Sequence, residues 1–306
     1  MKVLIVGLGA IAKKHIEALR NIDPGVEIFA LRSNNPSAIW PGITNIYEPD
    51  SRVRDFDFAI ISNPTGMHAD AIELLLDYHI PLFIEKPLFD TLEHADTLQR
   101  LEHACIPSYV GCNLRFLDSI RFLQRYIADN PQRRVNEVNV YCGSNLARWG
   151  GDKYRSLYNA DPKRGGGVHI DMIHDVDYVC HIFGMPQHSR HVFRNVSSLG
   201  IDAYDYANYI LEYPGFTANI VLNYYRPTPK RTLEIVFADE VWTADLRKNV
   251  ITDDSGNEIY RGKNNVDTTY TEQMQYFIDA IQTGQPIRNN ASTAYRILSL
   301  CLNPDN

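Results

Sequence analysis

Residues 2–19 read KVLIVGLGAIAKKHIEAL, and this stretch decides the fold. Val3-Leu4-Ile5-Val6 is an unbroken apolar run, which suits a strand covered on both faces. Gly7-Leu8-Gly9-Ala10-Ile11-Ala12 follows as a tight turn, after which Ile11, Ile16 and Leu19 recur at helical spacing. Strand, glycine turn and helix in that order form a dinucleotide-binding fingerprint with alanine in the third glycine position. Gly7 permits the bend, Gly9 keeps side chains away from a pyrophosphate, and Ala12 lets helix and strand pack closely. The N–H groups of the first helical turn, at Ala10 and Ile11, are the phosphate donors.

Outward from this unit, residues 26–31 read as the second strand. A site for NAD(H) commonly places Asp or Glu at the end of that strand to bond the ribose 2′-hydroxyl. Here the chain has Arg32-Ser33-Asn34. Arg32 suits pairing with a 2′-phosphate and Ser33 a hydrogen bond to it, which favours NADP(H) and leaves NAD(H) possible. Residues 45–47 read as a short strand. Residues 58–61 form a clearer one and run into Ser62-Asn63-Pro64-Thr65, a turn at the carboxyl end of a parallel strand, where ligands bind in open α/β sheets. His68 opens the next helix, either as a cap or packing residue or as a group beside the cofactor. A buried strand then ends in Glu85-Lys86-Pro87. Lysine at the mouth of a buried strand is costly unless paired or used, and a proton-moving role beside a nicotinamide would use it. A helix over 92–104 and a strand over 108–112 complete a doubly wound parallel sheet.

At 306 residues the chain is long for a single core, so two domains are expected. A formal charge of −7 without a basic stripe argues against nucleic acid as a partner. No apolar run approaches the roughly 20 residues of a membrane span, and a chain that opens on a core strand leaves no room for a cleavable signal. The five cysteines, Cys105, Cys112, Cys142, Cys180 and Cys301, are scattered and form no Cys-x-x-Cys pair. Buried, reduced thiols in a cytoplasmic protein are the expectation.

In the second half, a polar loop runs from Arg148 and Trp149 through Asp152, Lys153, Tyr154, Arg155 and Tyr158 to Lys163-Arg164 and three glycines, 165–167. Its aromatic and basic content suits a binding lid or a solvated excursion. Basic groups outnumber Asp152 and Asp161, which hints at an anionic substrate. In the helix predicted over 168–178, Asp171, His174 and Asp175 stand at i, i+3 and i+4 on one face. Three readings stay open: an acid/base pair, a structural Asp–His hydrogen bond, and a metal site with His169. Between 191 and 261, alternating runs separated by turn signals predict a large, mainly antiparallel open sheet with helices on one face. Helices over 268–281 and 292–302 close the chain and are expected to pack near the first domain.

Gly7-x-Gly9-x-x-Ala12, Ser62-Asn63-Pro64-Thr65 with His68, and Glu85-Lys86-Pro87 together resemble the glucose–fructose oxidoreductase / inositol dehydrogenase (Gfo/Idh/MocA) family over essentially the whole chain. The resemblance implies a Rossmann domain over 1–115 and a substrate-binding and oligomerisation domain over 116–306. It implies hydride transfer between a nicotinamide and a sugar or nucleotide-sugar carbon without a metal, and a homodimer or homotetramer through the second sheet. Lys86, His174 and Asp171 are the catalytic candidates. Asn113, Arg115, Trp149, Tyr154, Arg155, Tyr158 and Asp175 are added for the substrate, and Ser62 to Thr65, His68 and Glu85 for the cofactor. Asp152, Tyr154, Arg155 and Tyr158 resemble a subgroup linked to cell-surface glycan biosynthesis, which shares the short Asp171–His174 spacing. A free-polyol dehydrogenase and a non-catalytic dinucleotide sensor are the alternatives.

Overall fold

The structure is a computed structural model that describes residues 1–32 and 40–303. The chain divides into two compact units, residues 1–112 with 270–296, and residues 113–269 with 297–306.

In the first unit β1 (Lys2–Val6), α1 (Ala10–Ile22), β2 (Glu27–Leu31), β3 (Ile43–Ile46), β4 (Phe58–Ile61), α2 (His68–Leu75), β5 (Leu82–Glu85), α3 (Ala95–His103) and β6 (Ser108–Gly111) follow one another. The strands pair in parallel in the order β3-β2-β1-β4-β5-β6. The order reverses between β1 and β4, so the crevice of the sheet opens at the carboxyl ends of these two strands. Val3, Leu4, Ile5 and the whole of β4 are fully buried, as strands covered on both faces must be.

The second unit holds α4 (Asp118–Asp129), β7 (Val135–Asn145), α5 (Leu146–Gly150), α6 (Val168–Asp171), α7 (His174–Phe183), β8 (His188–Arg194), β9 (Tyr206–Glu212), β10 (Thr217–Asn223), β11 (Tyr225–Phe237), β12 (Val241–Asp245), β13 (Val250–Asp253) and β14 (Glu258–Arg261). The strands form one sheet, β14-β13-β12-β11-β7-β10-β9-β8, antiparallel throughout except for the β7–β10 pair. Cross-strand register lines up Tyr209, Ile220, Val140, Leu233, Ala244 and Ile251 in one row. All six are buried, and together they form the spine of the core. α6 packs on β9 and β10 on this face, where the Tyr209 hydroxyl donates to the His169 carbonyl at 2.9 Å. The opposite face carries Val192 and Ile210, both exposed.

Two helices close the chain, α8 (Val266–Thr283) and α9 (Ala291–Leu302). The part of α8 in the first unit drives Phe277 against Phe58, Phe83 and Tyr109. Between α8 and α9, Asn289 pairs with edge strand β6: Val110 N donates to the Asn289 carbonyl at 2.8 Å and Asn289 Nδ2 returns a bond to the Val110 carbonyl at 2.6 Å. The edge is thereby covered.

The helix expected over 168–178 is instead two helices, α6 and α7. Met172 leaves helical geometry (φ −94°, ψ 29°). Helical spacing therefore does not set the directions of Asp171 and Asp175. Four cysteines are buried, but Cys105 is exposed.

Candidate active site

The bend after β1 is built for a bound group. Gly7 has φ +90°, and a methyl there would stand 2.6 Å from the Asn63 backbone, so only glycine lets β1 and β4 approach so closely. Gly9 is the opposite case: a methyl would meet nothing within 4 Å. Gly9 is also the N-cap of α1 and gives the helix no side-chain cap. The N-terminal N–H groups, Ala10 and Ile11 among them, have no partner within the helix and suit an anion. Ala12 is fully buried. This open cradle at a helix N-terminus fits a dinucleotide pyrophosphate.

Several residues assigned to the cofactor turn out to shape this cradle. Ser62 Oγ donates to the Gly7 carbonyl at 2.8 Å, tying β4 to the bend. Asn63 Nδ2 donates to the Met67 carbonyl at 3.0 Å, while its buried Oδ1 has no hydrogen-bond partner and is a candidate ligand acceptor. Pro64 is exposed and Thr65 half-buried at the start of the turn into α2. His68 is buried, as a packing residue would be, with ring nitrogens 3.1–3.2 Å from the carbonyls of Asn63, Pro87 and Leu88. Burial lowers its pKa, and it serves as a latch between two loops. The Glu85 carboxylate is buried and bonded to His15 at 2.7 Å. Lys86 follows it, half-buried. Arg32 is also half-buried, with its N–H bonded to the Ile46 carbonyl at 2.9 Å. Ser33 lies outside the described residues.

The second unit presents its own constellation at the end of α6. Asp171 accepts from Tyr224 Oη at 2.7 Å, Asn159 Nδ2 at 2.8 Å and Tyr158 Oη at 3.3 Å. Tyr224 is buried, and burial beside Asp171 holds its phenol far above the usual range, so it remains a donor. Trp149 meets the Tyr224 ring edge-on at 5.6 Å and is 48% exposed. Gly166 fits where a methyl would stand 2.2 Å from the Tyr158 carbonyl, so the glycine turn allows the 158–159 segment to close over Asp171. His174 begins α7, half-buried. A carboxylate ringed by hydroxyl and amide donors beside an exposed indole is an arrangement that can bind a polyhydroxylated molecule.

Other substrate candidates belong to the framework. Asp175 is fully buried, bonded to Arg231 Nη2 at 2.7 Å, Arg231 Nε at 3.2 Å and Tyr178 Oη at 2.7 Å. Arg115 meets Asp177 through Nε and Nη2 at 2.8 and 2.7 Å, buried on both sides. Asn113 donates to Thr269 Oγ1 at 2.8 Å, also in the interior. In the polar loop, Tyr154 Oη donates to the Leu199 carbonyl at 2.7 Å. Arg155 donates to the Leu199 and Gly200 carbonyls at 3.2 and 3.3 Å and lies over the Tyr154 ring. Arg164 donates to the Ser156 carbonyl at 3.2 Å. These side chains fold the loop. Arg148, Lys153 and Lys163 are exposed. Among the described residues no group of three or more His, Cys, Asp or Glu is placed to hold a metal ion, and no helix is long and apolar enough to cross a membrane.

Sequence reasoning missed Tyr224, Asn159, His15 and Arg231. His15 carried a signal, a histidine on the apolar stripe of α1. The others reach their partners only through the tertiary fold.

A family model described as an oxidoreductase family with NAD-binding Rossmann fold matches residues 1–104, and one described as the GFO/IDH/MocA C-terminal domain matches residues 132–240. The chain belongs to the Gfo/Idh/MocA family. The model matched over residues 1–104 describes that family as oxidoreductases with an NAD-binding Rossmann fold. Glucose-6-phosphate 3-dehydrogenase of Bacillus subtilis is 26% identical over 191 residues, 60% of this chain and 53% of that protein, so the chain spans about half the length of that relative. Myo-inositol 2-dehydrogenase of Thermotoga maritima is 22% identical over 94% of this chain and 90% of that protein. Among solved structures, a levoglucosan dehydrogenase in complex with NADH and levoglucosan superposes with a TM-score of 0.84 at 14% identity, covering 98% of this chain and 95% of that one. At that identity the likeness is one of fold.

Proposed function

We propose that this family member moves a hydride between a nicotinamide dinucleotide and a hydroxyl-bearing carbon of an anionic or nucleotide-linked sugar, and through it serves surface-glycan assembly. The observation that carries the reading is Asp171, held by Tyr158, Asn159 and Tyr224 beside the exposed Trp149. A sugar offers hydroxyls to such a carboxylate and an apolar ring face to such an indole. Exposed Arg148, Lys153 and Lys163 support a negatively charged substrate. The relative named for glucose 6-phosphate supports the same chemistry.

The residues from Gly7 to Ala12 hold the dinucleotide, and the dinucleotide supplies the hydride chemistry. His174 takes and returns the proton of the reacting hydroxyl. Lys86 polarises that oxygen or relays its proton, and Asp171 orients His174 and binds a neighbouring hydroxyl. Arg32, with no carboxylate at the end of β2, supports NADP(H) over NAD(H). The open face of the second sheet, on which Val192 and Ile210 are exposed, supports a homodimer or homotetramer, which light scattering tests.

A panel of free, phosphorylated and nucleotide-linked sugars, followed by nicotinamide absorbance with each dinucleotide, tests the reading. Lys86→Ala and His174→Ala should each cost at least roughly 100-fold in kcat if they move protons. Unchanged turnover in both would overturn those roles. The near full-length match to an inositol dehydrogenase favours a second reading, oxidation of a free polyol. Arg148→Ala and Lys163→Ala separate the two, because they weaken an anionic sugar and spare a neutral polyol.

A further inference from the structure

We infer that His15 is a positioning residue for Lys86, joining the helix that begins at the dinucleotide bend to the strand end that presents the lysine. The inference rests on the proton-handling role proposed for Lys86. His15 lies on the buried face of α1 with Ala12, Ile16 and Leu19, and its side chain is fully excluded from water. A polar ring there is costly unless it bonds. Its Nε2 donates to Glu85 Oε1 at 2.7 Å, and Glu85, the last residue of β5, is buried in turn. The other carboxylate oxygen, Oε2, accepts the backbone N–H of Lys86 at 3.2 Å.

The carboxylate is confined on the remaining sides. Gly111, its register partner on β6, would bring a methyl within 3.1 Å of Oε1. The His15 ring is held edge-on by Phe83 at 5.0 Å and by Tyr270 at 6.2 Å. α1, His15, Glu85 and the Lys86 amide therefore form one continuous strut. Its far end is the helix whose first turn faces the phosphates. Seating the dinucleotide and orienting Lys86 are thus mechanically linked, although His15 touches neither substrate nor cofactor. Without the Nε2 donor, the Glu85 carboxylate stands buried without its charge-assisted bond and must rearrange, carrying the Lys86 backbone with it.

Substitutions at His15 and Glu85, followed by two readouts, test this. His15→Phe keeps the ring and removes the donor, and Glu85→Gln keeps the shape but cannot accept from both His15 and Lys86. Hydrogen exchange over residues 82–88, measured without dinucleotide, should speed up by roughly 10-fold or more at the Lys86 amide in either variant. His15→Gln, which restores a donor, should return it toward wild type. In turnover, His15→Phe should lower kcat by about 10-fold with the sugar KM within about 3-fold, and should add no further loss in a Lys86→Ala background. Unchanged exchange at 82–88 in a folded variant, or losses that multiply in the double variant, would overturn the inference. If the wild-type protein oxidises no sugar, the proposed function falls, and the exchange measurement alone still decides whether His15 holds this strand end.

Discussion

Gly9→Ala and Gly7→Ala lie two residues apart in one bend, and the structure assigns them opposite consequences. At Gly9 the backbone is extended (φ −85°, ψ −168°), and an added methyl meets nothing within 4 Å. Alanine is a poorer N-cap than glycine by a few tenths to about 1 kcal/mol, and it restricts the unfolded chain by a similar amount, so the net change in stability is near zero. The same methyl enters the space through which a pyrophosphate approaches the helix N-terminus. Losing that approach should weaken dinucleotide binding by roughly 100-fold, about 2.7 kcal/mol. At Gly7 the positive φ costs roughly 1–2 kcal/mol for any other residue, and the methyl sits 2.6 Å from the Asn63 backbone, so β1 and β4 must separate. Gly7→Ala should therefore lose roughly 3 kcal/mol or more of stability, of which the positive φ is only a part. Thermal melts with and without NADPH or NADH, together with fluorescence titration of the reduced dinucleotide, read both quantities. A Gly9→Ala protein that melts normally and binds the dinucleotide as tightly as wild type would show that the bend is not the phosphate seat.

Three other outcomes follow from the contacts. Arg231→Met leaves the fully buried Asp175 without its ion-pair partner and should cost roughly 3–5 kcal/mol in urea unfolding, while Arg231→Met/Asp175→Asn, which removes the charge but leaves Tyr178 an acceptor, should recover at least half. Burial, with His191 nearby, lowers the pKa of His169 to about 4, against 6.5 when unfolded. The unfolded chain therefore binds the extra proton first, and this contribution to stability is complete above pH 6.5 and declines as pH falls toward 4, by up to about 1.4 kcal/mol per unit. His169→Phe should flatten that limb in denaturant titrations at pH 7 and pH 5, and an unaltered pH dependence would refute the assignment. Arg32→Asp should shift the ratio of kcat/KM for NADP(H) over NAD(H) toward NAD(H) by about 10-fold or more, and an unchanged ratio would remove Arg32 from cofactor selection.

Much of the fold was legible because its signals are local. The apolar run of β1, the glycine bend and the stripe of α1 lie within 21 residues, and β4 and β12 fall where burial and alternation put them. The site was legible only in part. Glu85, Arg115, Asp175 and His68 have the residue types of a site, but burial recruits each to the framework. Tyr224 and Asn159 do not stand out in the chain as site residues, yet they determine what Asp171 can do.

The sequence by itself determined the two sheets, the dinucleotide bend and the family, because hydrophobic period and glycine sterics act over a few neighbouring residues. The tertiary structure alone decided which polar groups remain for chemistry. A charged side chain in the interior must find a partner, and that partner comes from a distant strand or helix.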